Sequence, residues 1–127
     1  MTQENKELLL KDLCSRLPYH PRIKVWLKDG TTEEGVLDLE HNYGDVLRDA
    51  FYYSEIVKIK PYLFPLSSMT EEQKMFLKQQ NWCIAISTSR TVETTVEGID
   101  WLNKNHFDYR GLIEKELAID ATGLNIY

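Results

Sequence analysis

The spacing of hydrophobic positions changes along the chain, and each change marks an element. Over residues 4–17, Leu9, Leu13 and Leu17 recur four apart, with Leu10 and Cys14 in the same stripe. Lys6, Glu7, Lys11, Asp12 and Arg16 fall on the other face. This is the period of a helix with one apolar side. Pro18 stops it, and Pro21 keeps the following segment extended. Such a helix must lie on an apolar surface, and a sheet is the expected one.

The period then falls to two. Ile23, Val25 and Leu27 alternate with Lys24, Trp26 and Lys28, which predicts a strand with one buried face. Asp29-Gly30 is a hairpin signal, and Thr32 to Leu39 is the returning strand. Gly35 within it predicts a bulge or bend. His41 to Asp45 reads as a turn, Val46 to Tyr53 as a third extended piece and Ser54 to Tyr62 as a fourth. In the fourth, Val57 and Ile59 point opposite to Lys58 and Lys60. One helix followed by four short strands predicts a small, strongly bent antiparallel sheet or partial barrel.

Pro61 to Pro65 reads as a rigid connector, because proline is excluded from central strands. Thr70-Glu71-Glu72-Gln73 fits a capping box at the start of a second helix, with Met75, Phe76 and Gln79 as its packed face. Trp82 to Ser87 suits a strand, and residues 87–95 a polar loop or weak hairpin. A third helix is expected over 96–105, with Val96, Ile99, Leu102 and Trp101 on its apolar side. Gly98 within it costs about 1 kcal/mol against alanine. Asp108 is placed to cap a further turn through Leu112. Residues 113–120 suit strand or helix, and 121–127 an extended tail. The expectation is one α+β domain over residues 1–127. It has a β-rich lobe at about 1–60, a connector at 61–69 and a helical, mixed lobe at 70–127.

Composition narrows the function. The chain has 127 residues, 43% of them hydrophobic, enough for its own core. It carries 15 basic and 20 acidic side chains, for a net charge of −5. Residues 1–60 hold 9 basic and 11 acidic groups, and residues 61–127 hold 6 and 9. Neither half has the basic excess that would neutralise a row of phosphates, which argues against sequence-independent DNA binding and leaves room only for a local patch. Cys14 and Cys83 sit in apolar surroundings and read as free core thiols of a reducing compartment. With no apolar run of membrane-spanning length and no signal-peptide pattern, a cytoplasmic protein is expected.

Catalytic signals are weak. His20, His41 and His106 have no partners at metal-ligand spacing, and the six glycines do not form a phosphate loop. No cofactor, no metal and no enzymatic activity are expected. Two surfaces remain. Lys24, Trp26, Lys28, Lys58 and Lys60 form a basic and aromatic strip if their strands pair, the kind of strip that binds single-stranded nucleic acid. A solvated strand face is the plainer reading. Trp101, His106, Tyr109 and Arg110 crowd a helix end, as interface anchors do. The plainer reading there packs Trp101 and Phe107 inward, with Asp108 capping or paired to Arg110.

Two resemblances follow from these residues. The stretch Lys24 to Asp49 is similar to the start of an Sm-like domain, through Val25, Leu27, Gly30, Gly35, Leu37, Asp38, Asn42, Leu47 and Asp49. That implies a small barrel binding single-stranded RNA. Two features depart from the pattern. Asp38 and Asn42 follow Gly35 too closely for the usual strand between, and Val57-Lys58-Ile59-Lys60 stands where the second Sm motif has an Arg-Gly pair. A generic small barrel is the plainer reading. Residues 5–19, 59–75 and 100–113 resemble, in the same order, a family of proteins without assigned activity encoded by Bacteroides and its phages and mobile elements. The resemblance implies an accessory protein of a phage or integrated element. With no catalytic signal, binding of a protein partner is the leading expectation and nucleic-acid binding the alternative.

Overall fold

The computed structural model describes residues 2–37, 56–82, 85–86 and 92–127. Helix α1 spans Gln3–Arg16 and starts where Thr2 accepts the Asn5 amide at 3.1 Å. A 3-10 turn at Leu17–Tyr19 leads into strand β1 (Arg22–Leu27). The Asp29 carboxylate accepts from the Thr31 amide at 2.9 Å, and Gly30 takes a positive φ of 87°. These fix the turn into β2 (Thr32–Val36). β3 (Ile56–Pro65) is the long strand, followed by a 3-10 turn at Leu66–Ser68 and helix α2 (Glu71–Gln79). A small hairpin of β4 (Ala85–Ile86) and β5 (Val92–Glu93) precedes helix α3 (Val96–Lys104). Two short strands, β6 (Phe107–Asp108) and β7 (Ile119–Asp120), complete the order.

The architecture is α+β, as expected. The sheet, expected to be a bent antiparallel sheet or a partial barrel, is open, and it is mixed because two short strands from the C-terminal part join it in parallel. β1 runs antiparallel to β2 and β3, while β6 and β7 join β3 in parallel. Pairing through Gly35 is regular, and the register shift falls instead between Trp26 and Leu27. The expected turn at 41–45, the third extended piece at 46–53, and Asp38, Asn42, Leu47 and Asp49 of the Sm-like pattern lie outside the described residues, as does Cys83.

The expected connector is strand as far as Pro65. Pro61 opposes Ile23 of β1, and Pro65 opposes Asp108 of β6. A proline amide donates nothing, so it weakens a ladder least where pairing changes hands. β3 makes that change at Pro61: β1 pairs with it up to there, and β7 and β6 pair with it beyond.

Two apolar clusters hold the elements together. In the larger, Leu9 and Leu13 of α1 meet Ile23 and Val25 of β1, Ile59 and Leu63 of β3, and Leu112 and Leu117. Each fully buried leucine or isoleucine contributes roughly 1.5–3 kcal/mol. In the smaller, Leu102, Phe107 and Tyr109 pack with Phe64, Leu66 and Trp101.

The faces of all three helices differ in part from the expected ones. Asp12 and Arg16 are fully buried, whereas Cys14 is exposed. On α2 the buried side chain is Leu77, while Met75 and Phe76 are exposed. Val96 is exposed at the start of α3. The capping box of α2 forms as expected: Thr70 accepts the Gln73 amide, and the Gln73 side chain accepts the Thr70 amide.

Candidate functional site

β1 and β3 pair in a register that gathers the basic strip. Lys24 opposes Lys60, and Trp26 opposes Lys58. Ile23, Val25 and Ile59 take the alternate positions and enter the core, so the period of two sends the lysines and the indole to the outer face. There the Lys58, Lys24 and Lys60 ammonium groups stand 4.7, 5.3 and 5.9 Å from the Trp26 ring centroid. The negative face of the indole offsets part of the repulsion among them. Burial lowers the pKa of Lys60, the neighbouring Lys58 lowers it further, and Glu116 opposes both. Lys28 is exposed in the turn after β1.

Periodicity also brings Arg22, Glu34 and Tyr62 to this side. Glu34 opposes Lys24 across β2, and its carboxylate accepts from the Tyr62 hydroxyl at 2.5 Å. Burial, and then this bond to an acceptor, pushes the Tyr62 phenol up to about 12. One more cation lies close by. Lys58 and Lys60 share a groove of about 320 Å³ with Lys115, Glu116, Asn5 and Val57. Nothing in the sequence signals Lys115, because the segment that carries it has no regular period.

The second set of expected residues has a different setting. Trp101 stacks on Phe107 at 5.6 Å and on Phe76 at 6.3 Å. Tyr109 is buried, and its hydroxyl donates to Asn103 at 2.9 Å. Arg110 donates to Asp12 at 2.9 Å and to Ser15 at 3.3 Å. Asp108 caps the turn after it, accepting the Leu112 and Ile113 amides at 3.0 and 2.9 Å. Tyr109 and Arg110 are thus engaged inside the molecule. His106, at a left-handed φ of 63°, stacks on Tyr127 at 3.7 Å and lines a cleft with Phe64, Gln73 and Lys104. Burial lowers its pKa to about 4, and Arg16 adds repulsion.

Among the described residues, no group of His, Cys, Asp or Glu is arranged to hold a metal ion, and no helix is long and apolar enough to cross a membrane. Comparison with known proteins finds no matching family model, no matching curated protein and no matching solved structure.

Proposed function

We propose that this chain is a non-catalytic binding protein that takes single-stranded nucleic acid on the outer face of β1 and β3. The observation that carries this reading is the convergence of three ammonium groups on one indole, at 4.7–5.9 Å. Phosphate oxygens draw the flexible lysines off the ring, and the uncovered indole accepts a base. Base stacking on an aromatic side chain contributes roughly 1–3 kcal/mol by truncation. Lysines act as point charges rather than as two-pronged readers of base edges, so sequence preference is weak. The overall charge of −5 opposes long-range attraction, so affinity is modest and falls steeply with salt. A cytoplasmic setting, suited to the free, exposed Cys14, belongs to the same reading.

A protein partner is the second reading, favoured by Met75 and Phe76, which stand 59% and 40% exposed on α2. Fluorescence anisotropy separates the two. An oligouridylate of about ten nucleotides is titrated at low salt, beside a polyglutamate of equal charge. The expected result is binding of the oligonucleotide, weakened about three- to tenfold by Lys24→Ala or Lys58→Ala. Absence of binding at low salt, or equal binding of polyglutamate, transfers the function to a protein partner.

A further inference from the structure

The cationic surface does not stop at the sheet. Among the described residues, Lys24, Lys58, Lys60 and Lys115 make no ion pair with a carboxylate. These four ammonium groups lie to one side of the fold, and three of them face one indole. Their arrangement has a direction. Lys24 and Trp26 lie on β1, Lys58 and Lys60 on the neighbouring β3, and Lys115 across the groove that follows. The groove runs beside the part of β3 that precedes its pairing with β7 at Tyr62 and Leu63. Its volume of about 320 Å³ is at the lower end for a small-ligand site and suits one nucleotide unit. Val57, 66% exposed, offers it an apolar wall, and Asn5 an amide that can both donate and accept.

We infer that this groove is the second subsite of the nucleic-acid face. In it Lys115 binds the phosphate next to the one held by Lys58 and Lys60, and Glu116 limits affinity by repelling that phosphate. The strand therefore crosses from β1 over β3 towards the turn at 115–117, instead of following either strand axis. The inference rests on the reading of the β1–β3 face given above. It adds Lys115 and Glu116, two exposed residues outside the sheet whose substitution leaves the core intact.

The test measures oligouridylate affinity against salt for the full chain and for Lys58→Ala, Lys115→Ala, Glu116→Gln and the distant control Lys78→Ala. Lys115→Ala is expected to weaken binding about three- to tenfold and to reduce the salt slope by about 0.7, the value of one single-strand phosphate contact. Glu116→Gln is expected to tighten binding about two- to threefold at low salt, and Lys78→Ala to leave it unchanged. If Lys58→Ala weakens binding while Lys115→Ala and Glu116→Gln match the parent chain, the subsite is overturned and the sheet face stands. If Lys58→Ala also matches the parent, or the parent does not bind, both fall. A loss with Lys78→Ala equal to that with Lys115→Ala shows diffuse charge attraction and overturns the subsite as well.

Discussion

Asp12 is a carboxylate with no exposed surface, and two guanidinium groups meet it inside the protein. Arg16 donates to one oxygen at 2.8 Å from the next turn of α1, and Arg110 to the other at 2.9 Å from the far end of the chain. Arg16 also donates to the Phe107 carbonyl at 2.6 Å. The Tyr109 ring lies against both guanidiniums, 5.2 Å from Arg16 and 4.6 Å from Arg110. Removing Arg110 leaves one buried oxygen of Asp12 without its partner, which costs more than the contact contributes. Arg110→Ala is therefore expected to lower unfolding free energy by about 2–4 kcal/mol, read from urea denaturation. Arg110→Lys, which keeps the charge but not the fork, should fall between. An Arg110→Ala protein as stable as the parent would return this side chain to the role of a surface anchor.

At the scale of elements, periodicity predicts most of what forms and misses what is decided at a distance. The outer face of β1 was legible because every second residue from 22 to 26 is polar or aromatic and the register follows from the buried alternates. The strip at Lys58 and Lys60 was legible for the same reason. Periodicity puts Asp12 and Arg16 on the polar face of α1, because a period cannot show that Arg110 and the Phe107 carbonyl return to meet them. Periodicity ends β3 at Tyr62 rather than Pro65, because the strands that continue its pairing arise only at Phe107 and Ile119. Gly98 is a third case. Helix propensity alone favours alanine there by about 1 kcal/mol. In the folded chain an added Cβ would overlap the Thr94 Oγ1, whose buried oxygen has no hydrogen-bond partner among the described residues. Gly98→Ala is therefore expected to destabilise by about 1–3 kcal/mol, the usual penalty for overpacking. Combining it with Thr94→Ala should recover much of that loss, since the closest atom is then gone. A thermal melt of Gly98→Ala at or above the parent value would show that propensity wins.

For the molecule as a whole, the last described residue ties distant parts together. The Tyr127 hydroxyl accepts the Arg22 amide and donates to the Tyr62 carbonyl, both at 2.8 Å, while its ring stacks on His106 and meets Phe64 at a tilt. Burial pushes the Tyr127 phenol up to about 12, so it remains neutral at ordinary pH. His106 is held neutral too, with its pKa lowered to about 4 and its Nδ1 buried without a partner. The unfolded chain binds a proton at His106 near pH 6.5, whereas the folded chain resists it until about pH 4. Between those values the unfolded state holds more protons, so stability rises with pH. This contribution is complete above pH 6.5, is lost as pH falls towards 4, and changes no further below. With partial solvent access its size is on the order of 1–2 kcal/mol. Carboxylates titrate in the same window, so the informative quantity is a difference between two proteins. His106→Asn keeps a residue that tolerates the left-handed backbone and removes the titration. The parent is expected to lose stability relative to His106→Asn as the pH is lowered from 7 to 4, in urea denaturation followed by circular dichroism. A constant gap across that range would show that His106 takes up its proton without strain, and that the stack on Tyr127 accommodates the charged ring.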